Sequence, residues 1–379
     1  MRRFFSTLIS FVSLFFIALV VSPYAHAQSG QLYVSNQVDK TVSVIDPSSG
    51  NTITTIPVGN QPSAIVYNGK YVYVADYYGN GSGGGVTVID PVTETVVSTI
   101  LTDKPGTERL TLSPDKKLIY ISAGGSTDGV VYIIDTTTNT LVHTITANFN
   151  EPDGIAVSPD GSRIYVVSQN ANGSNGYVSV IDTSNYSLVA TIPVSYSPTD
   201  IAITPDGAKL YVDNFGGPNT NNTVAVIDTN TNTVTNTVSS VPRPYSIALN
   251  SAGTYAYVVD NNYWFGGSNG DLTVIDTSND SVVTSIPVGN VPADLAISPD
   301  DSTVYVANEF SNTVSVINAS TNTVTNTFTT GNNPWGVALI PVLTTKNDCK
   351  NSGWKNLTDN NGNPFKNQGA CVSFFEKNH

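Results

Sequence analysis

One dipeptide recurs at a nearly fixed interval through most of this 379-residue chain. Ile-Asp stands at Ile45-Asp46, Ile89-Asp90, Ile134-Asp135, Ile181-Asp182, Ile227-Asp228 and Ile275-Asp276, and Ile317-Asn318 is a seventh copy carrying the amide. Successive copies lie 44, 45, 47, 46, 48 and 42 residues apart. A period in the forties, filled with short alternating β-type segments, is the signature of a repeated four-stranded unit. A blade of that kind cannot bury both faces alone, so the repeats must stack.

Each repeat divides into four strand signals, A to D, separated by turn signals. In residues 152–194, strand A is Ile155 to Ser158, B is Arg163 to Ser168, C is Val178 to Asp182 and D is Ser187 to Val194. Pro159-Asp160-Gly161 and Pro205-Asp206-Gly207 fit tight A-to-B hairpins, with Pro presetting φ and Gly accepting positive φ. The Asp after each Ile is expected to end strand C by accepting hydrogen bonds from the next turn. One tyrosine per repeat (Tyr33, Tyr73, Tyr120, Tyr165, Tyr211, Tyr257 and Tyr305) falls in register on strand B. Rings placed alike in every unit are packing elements that fill the wedge between neighbouring sheets.

The repeats open on a B strand, Leu32 to Ser35, and finish on an A strand, Trp335 to Pro341. The two ends complete one another. The sequence therefore predicts an all-β, seven-bladed β-propeller of four-stranded antiparallel blades over residues 28–343. Its first blade takes its inner strand from the far end of the repeats, which removes the sheet edges an open array would expose.

The words Val-Ser-Val-Ile-Asp, Thr-Ile-Pro-Val-Gly, Ile-Ala-x-Ser-Pro-Asp-Gly and Tyr-Val-x-Asn resemble the repeat of the YVTN family of β-propellers, and the resemblance spans roughly residues 31–341. Members occur as bacterial secreted and periplasmic proteins and in archaeal surface layers. The resemblance implies the fold and an exported setting, but the repeated residues are those that build blades, so it implies little about chemistry. Related propellers of the lactonase and lyase type hold catalytic carboxylates, histidine or a metal in the central channel, which makes a metal-dependent lactonase- or lyase-like enzyme the alternative reading.

Residues 1–27 read as a secretory signal peptide: Arg2 and Arg3, an apolar run from Phe4 to Val21, and the Ala25-His26-Ala27 cleavage site. No transmembrane segment is expected after cleavage, and the destination is secreted, periplasmic or cell-surface. The net charge of −13 becomes −15 without Arg2 and Arg3. Such a surface repels phosphate, so nucleic acid is not an expected partner. Residues 344–379 depart from the repeat and carry the two cysteines, Cys349 and Cys371. In an exported chain these are expected to pair, closing a small C-terminal module.

Function is to be sought where the repeats disagree. Antiparallel blades place the D-to-A and B-to-C loops on one face. The B-to-C loops carry Tyr77, Tyr78, Phe215, Tyr263, Trp264 and Phe265, aromatic groups suited to contacts with protein or carbohydrate at the cell surface. The D-to-A loops bring Glu108, Arg109, Asp153, Asp200, Asp294 and Trp335 to the channel rim. Four carboxylates from four blades could hold a hard divalent cation such as calcium, or bind a cationic ligand; no other cofactor is expected. Arg109 could serve an oxyanion or a substrate carboxylate. Outside the signal segment the chain has His143, within a D-strand pattern, and His379, so a channel histidine is not expected. No haem-attachment, zinc-protease or serine-hydrolase motif is present. The expectation is a binding or surface scaffold acting through the D-to-A and B-to-C loop face, with no catalytic residue assigned.

Overall fold

A computed structural model describes residues 30–78, 83–124, 128–170, 174–216, 222–261, 269–341 and 366–371. Within them 28 strands form seven antiparallel sheets of four. The innermost strands are β4 (Asn60–Tyr67), β8 (Leu110–Leu112), β12 (Pro152–Val157), β16 (Pro198–Ile203), β20 (Pro244–Leu249), β24 (Pro292–Ile297) and β28 (Pro334–Pro341). Strand β28 pairs with β1 (Gly30–Asn36) at the head of the repeats, in a register running from Gly30↔Pro341 to Asn36↔Pro334. Blade 1 is thus assembled from both ends of the ring, as the strand count predicts. The inner strands start earlier than the sequence reading has them: β12 runs from Pro152 to Val157 and not from Ile155 to Ser158.

The seven B-strand tyrosines are all buried. Tyr73 packs in one apolar cluster with Leu110, Ile119 and Ile121 of the following blade. Its hydroxyl donates to Asn139 Oδ1 in that blade's C-to-D turn at 2.7 Å. Tyr211 repeats the arrangement with Asp280 Oδ1 at 2.6 Å. All seven rings fill the wedge; at Tyr73 and Tyr211 the hydroxyl also pins the neighbour's turn, whereas the Tyr33 hydroxyl is buried without a hydrogen-bond partner.

The Ile-Asp words close C-to-D turns. The side-chain oxygens accept backbone N–H groups two residues on: Ser48 to Asp46 at 2.9 Å, Val92 to Asp90 at 2.8 Å, Thr137 to Asp135 at 2.7 Å and Ser184 to Asp182 at 2.8 Å. Asp228, Asp276 and the amide Asn318 do the same. An amide oxygen accepts as a carboxylate does, so the seventh copy tolerates Asn.

The Tyr-Val-x-Asn and Pro-Val-Gly words explain each other. Asn308 Nδ2 donates to the hydroxyls of Thr313 (3.2 Å) and Ser315 (3.0 Å) on strand C, while its Oδ1 accepts the Gly289 N–H at 3.0 Å. A Cβ on Gly289 would lie 2.7 Å from Asn308 Cγ, and one on Gly331 would lie 2.7 Å from Asn36 Cγ. In blades 7 and 1 the glycine is required because the entering loop lies directly on the amide that ends strand B.

Candidate functional site at the channel mouth

All inner strands start at one face, so the residues just inside each start ring the mouth of the central channel. Arg109, immediately before β8 of blade 3, is buried there and extends across the mouth. Its Nη1 lies 3.3 Å from Asp294 Oδ1 and 3.6 Å from Asp200 Oδ2, and its Nε lies 3.8 Å from Asp153 Oδ1. Nη1 also donates to Ser246 Oγ and Nη2 to the Tyr245 carbonyl, each at 3.4 Å. The guanidinium carbon stands 4.5 Å from the Trp335 ring centre and 5.7 Å from that of Tyr245. One side chain of blade 3 therefore meets blade 4 (Asp153), blade 5 (Asp200), blade 6 (Tyr245, Ser246), blade 7 (Asp294) and blade 1 (Trp335). Blade 2 joins through the backbone, where the Glu108 carbonyl accepts from Ser63 Oγ at 3.0 Å and from the Ala64 N–H at 3.3 Å.

This arrangement alters two sequence-based expectations. The rim carboxylates do come together, but onto a guanidinium. Among the described residues, no group of three or more acidic, histidine or cysteine side chains is disposed to hold a metal ion. The physical reason is occupancy: a cation of the chain's own already stands where the carboxylates converge. Arg109 is likewise engaged by internal acids and not held open for an oxyanion.

Electrostatics follow from burial. Burial opposes the charge on Arg109, but Asp200, Asp294 and Asp153 outweigh it and hold the guanidinium still more firmly protonated. Glu108 and Asp153 hydrogen-bond to each other. Burial, then Glu108, pushes the Asp153 carboxyl well above its usual range; burial likewise raises Glu108, partly offset by Arg109. Asp294 is raised by burial as well. Its Oδ2 accepts the Val337 N–H at 3.2 Å. Asp200 accepts the Ile201 N–H on Oδ1 at 2.9 Å, and Ser246 Oγ (2.8 Å) and the Ile247 N–H (3.2 Å) on Oδ2.

Of the loop aromatics, Tyr77 is half-buried, and Glu108 is the nearest-acting charge on its hydroxyl after burial. Tyr78, 40% exposed, meets Tyr77 edge-on at 4.7 Å. Phe215 is half-buried and packs edge-on to Tyr245 at 6.2 Å; Tyr245 in turn packs edge-on to Trp335 at 6.4 Å. Trp335 itself is buried beneath the guanidinium. Tyr263, Trp264 and Phe265 lie outside the described residues, as do Cys349, His379 and residues 1–27; Cys371 is buried. His143 lies on the D strand β11 (Thr140–Phe149) and stacks on Tyr186 at 4.5 Å, away from the mouth.

Sequence reasoning missed three participants. Tyr245 and Ser246 occupy the aligned rim positions of blade 6 but carry no charge, and a search for carboxylates passes over them. Asp213 is fully buried beside Asp200 on the paired strand, with neither carboxylate oxygen hydrogen-bonded within the protein. Burial and then Asp200 push its carboxyl well above the usual range. The signal was available: the residue two after the strand-B tyrosine is Ser35, Ala75, Ser122, Val167, Val259 or Ala307 elsewhere, and an acid there stands out.

Residues 108–241, which span the third to fifth blades, match the Choice-of-anchor I domain family, over about a third of the chain. A 53-residue stretch is 53% identical to the PE-PGRS family protein PE_PGRS18 of Mycobacterium tuberculosis (strain ATCC 25618 / H37Rv), covering 14% of this chain and 11% of that protein. Among solved structures, the chain is similar to a hydrazine synthase of Kuenenia stuttgartiensis: TM-score 0.65, 22% identity, over 76% of this chain and 92% of that one. A functionally unknown protein of Desulfotomaculum acetoxidans DSM 771 gives a TM-score of 0.66 at 18% identity, over 82% of this chain and 99% of that one. The dihydro-heme d1 dehydrogenase NirN in complex with DHE gives 0.57 at 16% identity, over 81% and 74%. At such identities the structural likeness shows the propeller fold alone.

Proposed function

We propose that this chain is an exported, YVTN-type repeat propeller that serves as a surface-binding module, contacting a protein or carbohydrate partner with the face that carries its D-to-A and B-to-C loops. The observation that carries the reading is the Arg109 cluster. A guanidinium drawn across the channel mouth by Asp153, Asp200 and Asp294 commits the buried carboxylates to holding the ring. Beside that cluster stand Glu108, which is half-buried and acts on the Tyr77 hydroxyl, and Tyr78, which is 40% exposed and meets Tyr77 edge-on. Rings beside an acid suit a partner offering apolar or sugar faces and hydrogen-bond donors.

The Choice-of-anchor I match supports a surface setting. Among the described residues no helix is long and apolar enough to cross a membrane. Retention at a surface is assigned to contacts of the loop face and to the C-terminal module, whose Cys349–Cys371 disulfide belongs to the same proposal.

The test is binding of the purified protein to cell-envelope preparations from its own source. Tyr78→Ala with Glu108→Gln should lower the bound fraction severalfold, while Val97→Ser on an outer strand leaves it unchanged. Equal binding by both variants refutes the assignment of the face. Chelator-sensitive hydrolysis of a lactone panel would overturn the reading in favour of a channel enzyme.

A further inference from the structure

The cage around Arg109 is held together by more than its occupant. Backbone N–H groups of Ile201 and Ile247 anchor the two oxygens of Asp200, and the N–H of Val337 anchors Asp294. Ser246 Oγ donates to Asp200 at 2.8 Å and lies 3.0 Å from Asp294 Oδ1, tying the two acids to blade 6. Trp335 is placed by β28, whose pairing with β1 closes the ring. The strands therefore position the walls, and Arg109 fills a space they define.

The chemistry of those walls is selective. Carboxylate oxygens approach Nη1 and Nε from three blades, and an indole ring lies 4.5 Å from the guanidinium carbon. A guanidinium is planar, weakly hydrated and presents its N–H groups in a fixed fork, so it can stack on a ring while meeting several acceptors at its edges. An ammonium is compact and strongly hydrated, and cannot do both from one position.

We propose that the channel mouth is a guanidinium-binding site occupied in cis by Arg109, and that the chain will bind a free guanidinium compound there once that side chain is removed. Arg109 then acts as a tethered ligand. Because its tether lies in blade 3 and the walls in blades 4, 5, 6, 7 and 1, occupancy couples the ring across its centre.

The experiment is chemical rescue of the full chain. Arg109→Ala should melt several degrees below the parent, and millimolar methylguanidinium should recover at least half of that loss, with saturation. Methylammonium at the same concentration should recover none, and neither compound should raise the parent. Adding Trp335→Leu to Arg109→Ala should abolish the rescue, which places the compound in the cage. Should Arg109→Ala be recovered only as aggregate, refolding with methylguanidinium must restore soluble monomer. Absence of rescue in both formats, rescue by methylammonium, or an equal gain in the parent would each overturn the proposal.

Discussion

Asp76 offers a sharp test of how the repeat uses its Tyr-Val-x-Asn position. It ends the B strand of blade 2 where blades 1 and 7 carry Asn36 and Asn308, and it is 1% exposed. Its Oδ2 accepts from Thr87 Oγ1 at 2.7 Å, but Oδ1 has no hydrogen-bond partner. Burial pushes this carboxyl up to about 6. A folded pKa above the unfolded one means the folded state binds the proton more tightly. The stability the proton confers is full below the unfolded pKa near 4 and is lost as pH rises through about 6. Two pKa units correspond to about 3 kcal/mol at pH 8 and to under about 1 kcal/mol at pH 4. An amide carries no such penalty. By analogy with Asn308, Asn at position 76 can donate to Thr87 Oγ1 and accept the Gly59 N–H. Asp76→Asn should therefore stabilise the protein at pH 8 by up to about 3 kcal/mol, or about 6 °C in Tm for a domain of this size, and by little at pH 4. Urea titrations followed by tryptophan fluorescence at the two pH values measure the difference directly. A gain of equal size at both pH values, or a loss at pH 8, would show that desolvation of Asp76 is not what the site contributes.

Further predictions bear on other parts of the ring. Tyr165→Ala should cost about 3 kcal/mol or more by urea unfolding, since the ring is 4% exposed, while binding at the loop face by the folded fraction is unchanged. Gly289→Ala should cost about 1–3 kcal/mol, because the new Cβ meets Asn308 Cγ at 2.7 Å; an unchanged urea midpoint would remove the explanation given for the Pro-Val-Gly word. Asp213→Ser should raise stability more at pH 8 than at pH 5, because its raised carboxyl pKa makes the folded state lose stability as pH climbs. Deleting residues 334–379 should expose the β1 edge and give aggregates on size exclusion, whereas deleting residues 344–379 should leave a soluble ring.

The ring was legible in the sequence because every blade must satisfy the same packing and turn constraints, and satisfying them seven times writes the solution seven times. The Asp46-type caps, the Tyr33-type wedges and the pairing of the two ends could all be read from spacing and residue type. The mouth was legible only in part. Alignment brought Glu108, Arg109, Asp153, Asp200 and Asp294 to one rim, yet it could not say which partner each would choose. That choice depends on how far a guanidinium reaches across the axis, a property of seven strands at once. Tyr245 and Ser246 escaped notice because a carbonyl, a hydroxyl and a ring face are ordinary in any one repeat and become a site only by convergence. Asp213 lay in plain view as an acid at an otherwise small or apolar position, but its meaning depends on Asp200 across the strand pair.

The pairing of β28 with β1 also sets a clock. Ser35 Oγ accepts the Gly336 N–H at 2.7 Å across 301 residues of sequence, and Gly30 pairs with Pro341 at the far end of the same ladder. At about 5–20 residues per second, the strand that completes blade 1 leaves the ribosome roughly 15–60 s after the strand it must join. Throughout that interval β1 has one bare edge, and Arg109 lacks Trp335. Contacts this distant in sequence are slow to form and depend on the intervening blades being in place. Blade 1 therefore cannot be completed before the last strand of the ring is made, and until then β1 offers an edge of the kind that pairs with other chains.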